Sequence, residues 1–187
     1  MSSHTQHSKP FETYFCTFAC YRWLPLFEET QTYYSVYRWF EHLKKDGCSV
    51  LGYVIMPNHI HCLLFPTDTQ RTLNLLVGEG KRFMAYEIVN TLKKSEKLKL
   101  LHTLEQGVSD NEKKVGKLHQ VFQLSFDARL CFDEKMLEQK LNYIHHNPVS
   151  GKWNLVNDFV KYPHSSAAYY ELGVENKYIT HYKDVNP

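Results

Sequence analysis

Hydrophobic positions change their period several times along the chain, and each change marks a boundary. Phe11 to Cys20, FETYFCTFAC, is dense in aromatic and β-favouring residues and reads as a strand. Trp23-Leu-Pro-Leu-Phe is a connection broken by Pro25. From Glu28 to Lys45, Tyr33, Tyr37, Phe40 and Leu43 recur at three- and four-residue steps, which predicts a helix with one buried stripe. Asp46-Gly47 ends it, with Gly47 suited to a left-handed cap. Two short β-rich runs follow, Ser49–Met56 and His59–Phe65. The Pro57-Asn58 pair between them predicts a β-hairpin.

A second helix is expected from Thr72 to Lys94, with Leu75, Leu76, Phe83, Ile88 and Leu92 as core contacts. Residues 95–118 lose the pattern and contain Ser109-Asp-Asn-Glu-Lys-Lys, read as an exposed loop. Phe122 to Phe132 supplies another strand. Asp133 is then a fitting N-cap for a helix whose stripe is Met136, Leu137, Lys140, Leu141 and Ile144. Pro148 disfavours the α conformation at Asn147, so this helix should end there. The order strand, helix, strand, strand, helix, strand, helix predicts an α+β fold. Its first six elements match a ferredoxin-like split β-α-β antiparallel sheet, to which a C-terminal helix and tail are added. The expected division is a flexible tail over 1–10, one domain over 11–148 and a C-terminal extension over 149–187 packed on that domain. Such a plan does not by itself identify a function.

Composition narrows the class. Of 187 residues, 43% are hydrophobic, enough for a packed core and against disorder. No run of eighteen apolar residues exists, which excludes a membrane helix and a membrane partner. The first residues lack the apolar run of a secretory signal, so the cytoplasm is the expected compartment. Cys16, Cys20, Cys48, Cys62 and Cys131 contain no Cys-x-x-Cys pair and suggest neither a disulfide framework nor a thiolate zinc site. Cys16 and Cys20, on one strand face, read as small core residues. The formal net charge of +2 first argues against a nucleic-acid partner. Its distribution reverses that inference, because residues 81–119 carry +4 on their own. Lys81, Arg82, Lys93, Lys94, Lys113, Lys114 and Lys117 are therefore candidates for contact with a polyanion, the alternative being a solvated helix face.

His59-Ile60-His61 sits on the second strand of the hairpin. Alternation sends both imidazoles to one face and Ile60 to the other. Two histidines so placed can ligate one divalent cation, or can be ordinary strand residues. Tyr143 and Asn147 are four apart near a helix end and so share a face. A tyrosine hydroxyl can be a nucleophile and an Asn oxygen a hard ligand, while packing at a helix end is the plainer role. His145 and His146 diverge by about 100° and are read as helix-terminal packing.

Together these residues have a family likeness. Val54-Ile-Met-Pro-Asn-His-Ile-His-Cys-Leu-Leu resembles the histidine–hydrophobe–histidine strand of the HUH single-tyrosine transposases. Asn142-Tyr-Ile-His-His-Asn-Pro-Val resembles the tyrosine helix of their REP-associated branch, and Tyr162-Pro-His-Ser-Ser-Ala its serine-rich C-terminal motif. The resemblance implies a DNA endonuclease and strand transferase acting on single-stranded, hairpin-forming repeat DNA. It implies Tyr143 as the nucleophile that forms a 5′-phosphotyrosine, and Mg²⁺ or Mn²⁺ held by His59, His61 and Asn147. Relatives borne on insertion sequences have Gln where this chain has Asn147. The family includes monomers and homodimers, and either state is expected. Two other readings stay open: a non-catalytic single-stranded nucleic-acid-binding protein on the same fold, and a metal-dependent hydrolase that uses water.

Overall fold

The computed structural model describes residues 9–68, 70–151 and 153–185; residues 1–8 of the expected tail lie outside them. Four strands form one antiparallel sheet: β1 (Thr13–Ala19), β2 (Cys48–Ile55), β3 (His59–Pro66) and β4 (Asp127–Cys131), in the spatial order β2-β3-β1-β4. A helical connection separates β1 from β2 and another separates β3 from β4, which is the split β-α-β plan. The register of the central pair sets Thr17 opposite His61 and Ala19 opposite His59.

The helices are α1 (Leu26–Thr30), α2 (Tyr33–Lys45), α3 (Leu73–Lys94), α4 (Leu98–Gln106), α5 (Asp110–Lys114), α6 (Glu134–His146) and α7 (Ala167–Leu172). Strand alternation makes two cores. On one face Phe18, Ile60 and Cys62 meet Phe40 of α2 and Val77 and Ile88 of α3. On the other, Phe15, Leu51 and Leu63 meet Leu137, Leu141 and Ile144 of α6. Each such side chain taken out of water contributes about 1.5–3 kcal/mol, so both faces of the sheet are strongly driven to be covered. Cys16 and Cys20 lie buried in the first core, as their spacing implied.

The sequence-based expectations need five corrections. The stretch 28–45 is two helices, because Gln31 adopts a left-handed conformation (φ 53°) between α1 and α2. Residues 95–118 form α4 and α5, where a loop was expected. Ser109 and Glu112 make a reciprocal capping box, and Leu101 and Leu104 of α4 are buried. On α3, Leu75 is 46% exposed and Phe83 is half-buried; the buried stripe is Leu73, Leu76, Val77, Met84, Ile88 and Leu92. The last strand is only Asp127–Cys131, while Phe122 makes an isolated bridge to Cys20. Asn147 keeps α geometry (φ −54°, ψ −42°) despite Pro148, the second residue of a 3₁₀ turn over Asn147–Val149, although α6 does end at His146, just before it. Asp133 does cap α6, accepting a hydrogen bond from the Met136 amide.

The C-terminal extension runs beside the outer edge of β2. Ile55 donates its amide to His164, Ser166 donates to Tyr53, and Thr180 donates to Val50. The Tyr162 and Tyr170 hydroxyls donate to the carbonyls of Ile55 and Leu51 at 2.9 and 2.6 Å. One close approach fixes α6 on the sheet. A Cβ added at Gly52 of β2 would lie 2.5 Å from Leu141 Cδ1.

Candidate active site

His59 and His61 point from β3 toward α6 and are 4% and 5% exposed. Their rings are 4.7 Å apart, edge to face. Tyr143, on α6, meets the His61 ring at 5.2 Å and the Phe15 ring at 6.0 Å, and half of its surface is open to solvent. The pair is thus sheltered while the phenol beside it is accessible. Helical spacing and the α conformation of Asn147 put that residue one turn beyond Tyr143 on the same helix face. Its Oδ1 is buried and has no hydrogen-bond partner among the described residues. A buried amide oxygen left unsatisfied costs about 1–3 kcal/mol, a cost that a cation would remove.

Hydrogen bonds decide which imidazole nitrogens can ligate. Asn58 donates its side-chain NH₂ to the Trp23 carbonyl (2.9 Å), which turns its Oδ1 toward His59 Nδ1 at 2.6 Å. An amide oxygen only accepts, so His59 Nδ1 carries the proton and its lone pair lies on Nε2. Thr17 Oγ1 contacts His61 Nδ1 at 2.7 Å. Outer-shell partners of this kind fix ring orientation in metal-binding histidines. Burial pushes the His61 pKa down to about 3, helped by His59 and by the Lys140 ammonium. His61 is therefore neutral at physiological pH, as a ligand must be. Among the described residues no group of three or more His, Cys, Asp or Glu side chains is placed so that it could hold a metal ion. The donors on offer are two imidazoles, which also suit borderline divalent ions, and one amide oxygen of the class that harder ions such as Mg²⁺ and Mn²⁺ prefer.

His145 and His146 part company as their adjacency implied. His145 is buried and its Nε2 meets Ser166 Oγ at 3.0 Å, whereas His146 packs on Phe159.

The basic residues singled out from the sequence divide into two sets. Lys81, Arg82, Lys93 and Lys117 line a groove of about 1160 Å³ between α3 and residues 115–128, together with Tyr86 and Asn90. Lys94, Lys113 and Lys114 lie outside it. Within the groove, Lys81 is spent on structure: its ammonium donates to the carbonyls of Gln123, Leu124 and Ser125. Lys117 pairs with Glu112, and Lys113 with Asp110.

Several residues of the site escaped the sequence reading. Thr17 gives no signal until the register with β3 is known. Asn58 reads as a turn residue. Lys140 was placed in the apolar stripe of α6, and its ammonium lies over the Phe15 ring at 4.9 Å. Trp23 and Trp153 flank His59 at 5.5 and 6.1 Å, although neither belongs to a periodic run.

No helix among the described residues is long and apolar enough to cross a membrane. No protein-family model matches the chain, and no curated protein matches it either. The chain is similar to a solved structure described as a REP-associated tyrosine transposase bound to a REP hairpin. The two share 18% identity and a TM-score of 0.61, over 100% of this chain and 94% of that one. At that identity the likeness is one of architecture: the described residues have the fold of that transposase.

Proposed function

We propose that the protein is a metal-dependent single-strand DNA endonuclease and strand transferase acting on hairpin-forming or repeat DNA, with Tyr143 as its nucleophile. The observation that carries the reading is the apposition of His59, His61 and Tyr143 on one sheet face, with the unsatisfied oxygen of Asn147 one helical turn beyond the tyrosine. His59, His61 and Asn147 would hold the Mg²⁺ or Mn²⁺, which when bound offsets the negative charge that develops on the phosphate. Tyr143 Oη attacks the phosphorus. The new O–P bond forms as the bond to the 3′-oxygen breaks, the phenolic proton is lost and the leaving oxygen takes up a proton. The 5′-phosphate stays on the tyrosine. That linkage is still a phosphodiester, so the 3′-hydroxyl of a second strand can attack it and rejoin DNA without ATP. Strand binding draws on Arg82 and Lys93 in the groove, on Lys94 and Lys114 outside it, and on aromatic stacking.

The test is a single-stranded hairpin oligonucleotide incubated with the protein and Mn²⁺, followed by denaturing electrophoresis. A covalent protein–DNA adduct is expected from the wild type and none from Tyr143→Phe. An undiminished adduct in that variant overturns the assignment, and cleavage without adduct points to water as the nucleophile.

A further inference from the structure

We infer that Trp23 is a stacking platform for an unpaired nucleobase beside the scissile phosphate. Three observations converge on it. The indole is 53% exposed, although it stands 5.5 Å from the buried His59 ring. Trp23, His59, His61 and Tyr143 thus form a row of rings with neighbouring centroids 5.5, 4.7 and 5.2 Å apart, and the indole sits at the end opposite the nucleophile. The backbone is held in a conformation that bulky residues avoid: Arg22 and Trp23 are both left-handed, at φ 51° and 58°. Such strain persists only where surrounding structure enforces it, and it collects at functional sites.

The enforcement is visible. The Trp23 carbonyl accepts from Asn58, the same residue that orients His59, and the Trp23 amide donates to Cys20. Cys20 in turn donates its amide to Asn58, and Tyr21 donates to Val121. The backbone that carries the indole is therefore fixed relative to the histidine pair by the hairpin that carries the pair. An exposed aromatic ring whose position is set to the site, and whose face contributes little to either core, fits a flat apolar ligand. Every nucleobase presents a π-face, so the platform is tolerant of sequence and needs the base unpaired.

The inference rests on reading the site as one for single-stranded DNA, and the experiment separates the two. Affinities are measured for a short oligothymidylate and for an abasic strand of equal length, which keeps the phosphates and lacks bases. In Trp23→Ala the oligothymidylate should bind about tenfold more weakly, with the abasic strand unchanged; Trp23→Phe should recover part of the loss. Equal losses for both strands, or no loss for either, overturn the stacking role. Because binding is read without cleavage, a wild type that discriminates between the strands but yields no adduct supports the platform while removing the nuclease reading. A wild type that binds neither strand overturns both.

Discussion

The approach of the tyrosine helix to the sheet can be tested with a single methyl group. Gly52→Ala places a carbon 2.5 Å from Leu141 Cδ1, with Leu63 Cδ1 and Ser166 Oγ each at 3.6 Å. Carbon atoms rest about 3.5–4.0 Å apart, so something must move by about 1 Å. Leu141 has little room to yield, because it is buried among Leu51, Leu63 and Ile144. The helix itself is expected to lift. Overpacking of this kind costs about 1–3 kcal/mol, and replacing glycine returns roughly 0.4–1 kcal/mol through the unfolded chain. The net loss of about 1–2 kcal/mol should lower the melting temperature by roughly 2–8 °C. Catalysis should suffer more, since Tyr143 is two residues from the contact and a displacement of about 1 Å can cost on the order of a hundredfold in rate. Circular dichroism melts and single-turnover adduct formation read the two effects separately. The decisive comparison is with Leu141→Ala, which alone costs about 2–5 kcal/mol but removes the clashing atom. In that background Gly52→Ala should cost nothing further. An identical penalty in both backgrounds, or a full adduct rate in Gly52→Ala, refutes the argument.

Other expectations follow from individual contacts. Asn147→Ala removes an unsatisfied oxygen, so the metal-free protein should be no less stable, whereas stabilisation by Mn²⁺ (about 2.7 kcal/mol at a hundredfold excess over Kd) should shrink; an equal Mn²⁺-induced melting shift in both proteins contradicts the ligand role. His145 is pushed from its ordinary 6.5 to about 4, first by burial and then by His146. The unfolded chain therefore gains this proton first, and about 3 kcal/mol of stability, whole above pH 6.5, drains away as the pH falls to about 4. The urea midpoint of His145→Asn, compared with wild type across that window, should lack this component. Lys81→Met leaves three carbonyls without their donor and should cost about 1–3 kcal/mol in a chemical melt. Arg82→Ala and Lys93→Ala should leave the melt unchanged and each reduce the salt slope of DNA binding by about one.

The fold was largely legible because alternation and helical period both leave long traces. The β2–β3 hairpin and α6 were placed to within a residue or two, since Pro57-Asn58 and Asp133 are strong local signals. Where the reading failed, short-range signals competed. Residues 98–106 looked irregular because Lys97, Lys99 and His102 break up a stripe of only two buried leucines. The capping box at Ser109 is written in the sequence, but the polar residues around it mask the signal. Leu75 was assigned to the core by hydrophobicity alone, but its helical phase turns it outward. At the site, spacing put His59 and His61 on one face and Asn147 with Tyr143 on another element. What spacing could not supply was the apposition of the two, nor the parts played by Thr17, Asn58 and Lys140. Those depend on register and on helix docking, which are properties of the assembled sheet. The charge of Lys81 is equally visible in the sequence, yet only the folded chain brings the backbone carbonyls that consume it.

The strap of chain along β2 also bears on colloidal behaviour. Cys48–Ile55, CSVLGYVI, is eight residues of uncharged, β-prone sequence at a sheet margin, the kind of segment that recruits other chains into cross-β pairing. Its outer hydrogen-bonding groups are partly satisfied by residues 164–166 and 180 of its own molecule. The opposite margin, β4, is short and carries Asp127 and Arg129, which discourage stacking without a cover. The segment after the tyrosine helix thus acts as an internal guard against aggregation: trimming residues 164–185, which spares Trp153, would unmask the more amyloid-prone edge of the sheet.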